Sequence, residues 1–373
     1  MEGTLRWLLP TIVDSPYYCV WPPHLRAVFD PDPAIMPGIR GESVFVASSR
    51  GFRGDEIPEE RSYKILAVGG STTECLFLDQ TEAWPHLLQE RLSEAAPGRR
   101  VWVGNAGKSG LSTRDHVVQL RYLLPDLPPI DAIVFLIGVN DLALRNLQDS
   151  EYDPDFLSRE GAEGQLLPRA FGVYPLDNPA LPWHRRTAIW QLARNFERKL
   201  RAARRDYQDQ AGRHYLRWRT ERRNATKIRE VMPDLTTALE EYSRNVNSLI
   251  DLAGQHSVRP IFLTQPTIWR RDLPPDLTAR LWVGKIGEGE DGEYYSVAVL
   301  AAEMDLYNDT LTKTCHARNV ECFDLASRIP KDETVFYDDD HYTEQGSELI
   351  ADLIARFMRE QSPFRVPAPP GRD

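Results

Sequence analysis

Little in this chain points to a membrane, a nucleic acid or an oxidised scaffold. The longest apolar run near the N-terminus, Leu5 to Val13, is broken by Arg6 and Pro10 and falls well short of the roughly 20 residues a spanning helix needs. The same stretch has neither the basic start nor the small-residue cleavage site of a secretory leader. A soluble cytoplasmic protein with no transmembrane segment is therefore the default expectation; a trimmed form of an exported protein would read the same way. Positive charge is in deficit, with 45 Lys and Arg against 55 Asp and Glu and a formal net charge of −10. That balance argues against wholesale nucleic-acid binding. Cysteine is scarce too: Cys19, Cys75, Cys315 and Cys322 are too few to staple a fold. Reduced thiols are expected, with a Cys315–Cys322 pair as the alternative.

What is present is ordinary globular material. The 373 residues, 42% hydrophobic and 27% charged, supply a sizeable core and exceed one average domain without clearly making two. Residues 1–60 are punctuated by prolines and read as a wrapping arm with one hairpin around Glu42 to Ala47. Tyr17, Tyr18, Trp21, Phe29 and Phe45 are too apolar for a disordered leader. From Tyr63, short apolar runs at Ile65–Val68, Val101–Val103, Ala132–Ile137, Pro260–Leu263 and Val320–Phe323 suit strands buried on both faces. Helical patterns lie between them at 84–95, 113–124, 235–256 and 294–317, and a last one at 343–359 has Thr343 as its N-cap. This alternation predicts an α/β fold, a three-layer αβα sandwich around a mainly parallel five-stranded, flavodoxin-like sheet.

Residues 142–232 break the rhythm. A structureless loop of that length is improbable in a compact domain, so a large, mostly helical insertion is expected between core segments 61–141 and 233–360, with 361–373 as a tail. The stretch Arg185 to Glu230 has no proline and about three basic residues for every acidic one. It reads as one long or two paired amphipathic helices, either a solvated basic face or a lid or docking surface. A smaller insertion runs from Ile268 to Glu293. Both leave from carboxyl ends of strands, where α/β sheets place their sites.

Four segments follow or end core strands with small, polar or titratable residues. Gly69-Gly70-Ser71-Thr72-Thr73 reads as a strand running into a tight turn that presents Ser71 at a helix start. It lacks the spacing and the lysine of a phosphate-binding P-loop. Asn105-Ala106-Gly107-Lys108-Ser109-Gly110 taken alone is a βα turn, and Gly138-Val139-Asn140-Asp141 taken alone is a strand end with an N-cap pair. Asp338-Asp339-Asp340-His341 supplies an imidazole with a carboxylate three residues before it. These groups also ligate divalent metals, so a metal-dependent phosphoesterase stays open at this point. A serine at a strand end, with Asp and His able to fold back onto it, is the minimum set for nucleophilic hydrolysis.

In this order the four blocks resemble those of the SGNH hydrolases, the GDSL esterase/lipase superfamily, with Gly69-Gly70-Ser71-Thr72 in place of the GDS consensus. Gly346 and Ala351 also fall where that family's last helix has small residues. The resemblance covers about Tyr63 to Asp141 and Leu235 to Arg359. It implies Ser71 as nucleophile, His341 as general base and Asp338 as the carboxylate that orients the imidazole. The Gly110 N–H and the Asn140 amide would complete an oxyanion hole with the N–H of Ser71. It further implies an acyl-enzyme, neither metal nor organic cofactor, and a small-molecule or carbohydrate ester as substrate, an O-acetyl group included. A lipase, a thioesterase or an acyltransferase would use the same residues. A retired scaffold binding an anionic polymer or partner through the basic insertion is the alternative of another class. The chain departs from the pattern at Gly70, where the consensus has Asp, and Asp339 and Asp340 are alternative partners for His341. Asp115 and His116 are expected to be exposed on their helix, and Cys75 to lie in the core one helical turn beyond Ser71. Trp269, Arg270, Arg271 and Trp282 are expected mainly as surface packing, with a share in shaping the pocket left open.

Overall fold

Prolines dictate the path of the arm. The computed structural model describes residues 16–59, 62–96, 98, 100–187, 189–190, 211–287 and 292–364. The start of the arm, most of the tail, the centre of the basic stretch at 191–210 and the acidic loop at 288–291 lie outside the described residues. Strand β1 (Arg26–Phe29) pairs antiparallel with β2 (Ser43–Val46), Phe29 opposite Ser43. The hairpin expected around Glu42 to Ala47 thus has β2 as one arm and β1 as the other, and Ala47 bridges antiparallel to Arg53 beyond it. Pro31, Pro33 and Pro37 lie between the two strands, and each removes a backbone donor and fixes its own φ. The excursion delivers Ile35, Met36 and Ile39 to the core. Phe45 is buried, Tyr18, Trp21 and Phe29 pack against the core, and Tyr17 stays exposed with the Arg50 guanidinium 3.7 Å from its ring centre.

The apolar runs from Tyr63 onward form β3 (Tyr63–Gly69), β4 (Val101–Asn105), β5 (Ala132–Leu136), β7 (Arg259–Leu263) and β9 (Glu321–Phe323). Between them come β6 (Lys227–Arg229) and β8 (Glu293–Tyr295), one from each insertion, which pair parallel with each other outside the main sheet. The main sheet is five-stranded and parallel in the order β4-β3-β5-β7-β9. Every residue of β5 and Ile65 to Val68 of β3 are buried, as continuous apolar runs require when helices cover both faces. Gly69 pairs with Leu136, so β3 and β5 end level with each other. The strand order reverses between them, which makes that crevice the topological switch point.

Among the described residues the α-helices are, in chain order, α1 (Ser71–Glu74), α2 (Trp84–Ala95), α3 (Thr113–Leu123), α4 (Val139–Gln148), α5 (Ala162–Ala170), α6 (His214–Arg223), α7 (Thr236–Gln255), α8 (Pro275–Thr278), α9 (Val297–Arg318) and α10 (Glu344–Arg359). α2 packs on α10 in one layer, and α3, α7 and α9 pack together in the other. The resulting αβα sandwich is flavodoxin-like. Thr343 caps α10 as its sequence position implies, accepting the Gly346 N–H at 3.0 Å. Among the described residues no helix is long and apolar enough to cross a membrane, and all four cysteines are free.

Residues following α4 fold back over the core. The Arg114 guanidinium makes a bidentate pair with Glu241 of α7, at 2.6 and 2.7 Å, and also donates to the Asp153 carbonyl. α5 then lies on α3. This corrects the expectation for Asp115 and His116, which are buried rather than exposed. Arg169 of α5 reaches Asp115 at 3.0 Å, and His116 Nδ1 shares a hydrogen bond with Gln119, itself bonded to the Ala170 carbonyl. A helix whose outer face looks polar is here covered by a second layer of chain.

Arg53 ties the arm to the core. Its side chain is buried and donates to the carbonyls of Glu74, Cys75 and Leu78 at 2.5–2.7 Å, and to Gln80 Oε1 at 3.1 Å. It thus satisfies the carbonyls that a four-residue α1 leaves open. Replacing Arg53 with Ala strands several buried acceptors, each costing about 1–3 kcal/mol. The expected outcome is a loss of about 3 kcal/mol or more, read from urea unfolding of the purified variant; a loss under about 1 kcal/mol would contradict this role.

Candidate active site

The level ends of β3 and β5 bring two helix starts together. β3 passes through Gly70, the N-cap residue, into α1, so that Ser71 is its first residue. α1 lasts one turn and stops at Cys75, which adopts a left-handed conformation at φ 53°. Cys75 is buried as expected but ends the helix instead of continuing it. On the other side, Gly138 leads into α4 and puts Asn140 in its first turn. The Asn140 amide donates one N–H to the Leu111 carbonyl at 3.0 Å, leaving a second for another acceptor.

This closeness explains the departure at position 70. A Cβ there would stand 2.1 Å from Asn140 Nδ2, inside any contact distance. A side chain at position 70 would have to displace the Asn140 amide. Asp141, the next residue of α4, accepts from the Thr113 N–H at 3.1 Å and from Thr113 Oγ1 at 2.5 Å. Burial pushes its carboxyl up to about 7 against the pull of those bonds.

The third turn, after β4, carries Gly110 in a left-handed conformation at φ +74°, with open space where a Cβ would be. Glycine is needed here for its backbone freedom. Glu74, at the end of α1, holds this turn: its Oε2 accepts the Ser109 N–H at 2.6 Å and also the Ser109 hydroxyl. Glu74 is buried, which raises its pKa, while the Ser109 bonds act the other way. Its role was not read from the sequence. The available signal was an acid directly before the apolar run Cys75-Leu76-Phe77-Leu78.

The three consecutive aspartates divide their work. Asp338 accepts from His341 Nδ1 at 2.8 Å, and from the backbone N–H groups of Asp340 and His341 at 3.2 and 3.0 Å. Trp282 Nε1 donates to its Oδ2 at 3.0 Å. Asp339 points elsewhere, accepting from Trp269 Nε1 and from the N–H groups of Trp282 and Val283. Asp340 approaches His341 Nδ1 at 3.5 Å and has one buried oxygen with no hydrogen-bond partner. Among the alternatives the sequence left open, Asp338 is thus the one bonded to the imidazole.

Burial by itself would raise the Asp338 pKa, but the His341 charge, its hydrogen bond, Arg219 and the Trp282 N–H outweigh it and hold the carboxyl low. For His341 burial would lower the pKa, yet Asp338 and Asp340 raise it above 6.5. Burial also raises the Asp340 carboxyl against the pull of His341.

Ser71, Gly110, Asn140 and His341 line one cavity of about 380 Å³. With Nδ1 committed to Asp338, Nε2 is the ring nitrogen His341 has left. One wall is apolar, with Ile39 from the arm and Leu76, Phe77 and Leu78 after α1; the other is aromatic, with Tyr215 and Trp218 of α6 and Trp282 of the smaller insertion. Trp282 and Tyr337 lie nearly parallel to the imidazole, at 16° and 10°. Trp269 is buried and outside the cavity lining, whereas Trp282, ranked with it from sequence, is in the lining. Two buried arginines of α6 fasten this wall. Arg219 donates to the Ile35 and Tyr337 carbonyls, and Arg222 to those of Val283 and Tyr295.

Two expectations follow if the site acts on an ester with Asn140 as an oxyanion donor and His341 as the base. Gly70→Ala displaces the Asn140 amide and lowers kcat about a hundredfold, the typical cost of one oxyanion donor, with melting temperature little changed; an unchanged kcat would contradict the contact. Asp340→Asn removes one of the two carboxylates beside His341 Nδ1, so the imidazole loses its proton at lower pH. A base must be neutral to act, and the acid limb of the kcat/KM profile should shift to lower pH; a fixed or raised limb would contradict that assignment.

A comparison with the curated proteins finds no matching sequence. Among solved structures, a lipase/acylhydrolase from Enterococcus faecalis is similar over 80% of this chain and 96% of its own, at 15% identity and a TM-score of 0.41. An acetylxylan esterase from Geobacillus stearothermophilus is similar over 82% and 96%, at 15% identity and a TM-score of 0.40. An alpha/beta hydrolase enzyme from the metagenome of Lake Arreo, Spain, is similar over 79% and 95%, at 16% identity and a TM-score of 0.42. The family model for GDSL-like lipases and acylhydrolases matches residues 67–349, a span that takes in all four sequence blocks. The chain belongs to the GDSL-like lipase/acylhydrolase family.

Proposed function

We propose that the protein is a serine esterase that cleaves a carboxylic ester through an acyl-enzyme. The observation that carries this reading is the shared cavity of Ser71, Gly110, Asn140 and His341, with His341 Nδ1 bonded to Asp338. Ser71 Oγ attacks the ester carbonyl carbon while His341 Nε2 takes its proton. The oxygen that becomes negative meets the N–H groups of Ser71 and Gly110 and the second N–H of Asn140. His341 then returns the proton to the departing alcohol, leaving an acyl group on Ser71. Water, deprotonated by the same imidazole, releases the acid.

The lining supports a neutral substrate. Among the described residues it contains no Lys, Arg, Asp or Glu, and it is mostly aliphatic and aromatic. An uncharged acyl group suits the wall of Leu76, Phe77 and Leu78. Trp218 and Trp282 are walls of the kind on which a sugar ring packs, which favours an O-acylated carbohydrate, acetylated ones included, over a long-chain lipid. A divalent-metal phosphoesterase would draw on Asp338, Asp340 and His341, whose ligand atoms lie within 4.8 Å of one another. That set fits an ion poorly, because both Asp338 oxygens already accept protein N–H groups.

A hydrolysis screen on p-nitrophenyl esters of increasing chain length, run beside acetylated sugars, tests the proposal. Turnover of short esters and acetylated sugars is expected, with Ser71→Ala lowering kcat by at least about 10³-fold and EDTA without effect. A preference for long acyl chains would favour the lipase reading, and EDTA-sensitive activity would favour the metal one. Full activity in Ser71→Ala would overturn the mechanism.

A further inference from the structure

Asp338 is a buried anion, and such a group needs every oxygen satisfied. Its oxygens are filled by His341 and two backbone N–H groups of its own turn and, among the described residues, by one side-chain donor from elsewhere in the chain, the indole of Trp282 at 3.0 Å. Trp282 belongs to the smaller insertion, outside the four sequence blocks. Its place is not left to a mobile side chain. Asp339 accepts the backbone N–H of Trp282 at 2.8 Å and that of Val283 at 3.2 Å. Arg222 of α6 holds the Val283 carbonyl, and Trp218 of the same helix packs on the Trp282 ring at 4.8 Å between centroids. Asp339 is fixed in turn by Trp269 Nε1 at 2.8 Å. The aspartate next to Asp338 therefore anchors the loop whose indole returns to Asp338.

We propose that Trp282 is a positioning residue for the reaction, acting through Asp338. Its N–H fixes the carboxylate plane that His341 Nδ1 meets, and its ring, near parallel to the imidazole at 6.2 Å, limits the tilt of His341. Because Trp282 also lines the cavity, a substrate seated against the aromatic wall presses on the same ring that orients the base. The inference rests on the serine-esterase reading.

The test replaces Trp282 with Phe, which keeps a ring and loses the N–H. A second replacement, site-specific benzothienylalanine at 282, keeps the indole shape with sulfur in place of N–H and guards against misfolding of the first. Both are assayed on a short p-nitrophenyl ester that the wild type turns over. Losing a hydrogen bond to a charged group is expected to lower kcat about tenfold to a hundredfold, with KM changed less than threefold for the isosteric variant. The positive end of the indole dipole also disfavours the imidazolium. Without it the acid limb of kcat/KM should move to higher pH, in a site where Asp338, Asp339 and Asp340 of its own turn, Arg219 and Arg222 of α6, and Tyr215 and Tyr337 are the facing charged or titratable groups. The downfield proton resonance of the His341–Asp338 hydrogen bond should shift in both variants. Unchanged kcat, limb and resonance, with only KM raised, would overturn the proposal and leave Trp282 as a wall. Absence of Ser71-dependent turnover in the wild type would instead overturn the esterase reading itself.

Discussion

The approach of the Gly70 backbone to the Asn140 amide is the constraint on which the rest of the site depends. Two parallel strands that end level, β3 and β5, open at the switch point and start two helices almost in contact. A Cβ at position 70 would push the Asn140 amide aside. The site is then braced from three directions. Arg53 closes the carbonyl end of α1, Glu74 pulls the Ser109–Gly110 turn onto α1, and Asp141 fastens the start of α4 to that of α3. Each brace is a buried charged or titratable group, which costs solvation and is tolerated only where the bonding is saturated. Such groups hold geometry better than apolar packing does, since they accept few alternative positions.

The parts outside the sheet complete the cavity more than they cover it. Ile39 from the arm, Tyr215 and Trp218 from α6, and Trp282 from the smaller insertion are all in its lining. The two insertions are joined to each other by β6 and β8 and by Arg222, and to the His341 turn by Asp339 and Arg219. On the proposed reading, substrate choice is vested in segments whose attachment runs through the same Asp-rich turn that would supply the base.

The fold was legible because its signals are local. Five short apolar runs with turn residues at both ends suit strands buried on both faces, and the helices between them matched their periodicity to within a few residues. The end-of-strand position of Ser71, Gly110 and Asn140, and the i−3 spacing of Asp338 to His341, were local as well. What escaped is what depends on distant chain. Asp115 and His116 look exposed until α5 covers them, and the hairpin expected around Glu42 to Ala47 has its partner strand on the far side of three prolines. Arg53 and Glu74 were not singled out, because each is buried against a segment distant in sequence or folded back on it. Trp282 carried no spacing signal, because its partner lies 56 residues on.

The central claim is that Ser71 becomes covalently acylated. Its most direct test is intact-mass analysis after reaction with a fluorophosphonate, followed by peptide mapping. One phosphonyl group per chain, located on the peptide containing Ser71 and lost in Ser71→Ala, is the predicted result. A wild-type chain that gains no mass, or an adduct that maps elsewhere and survives Ser71→Ala, would contradict the account.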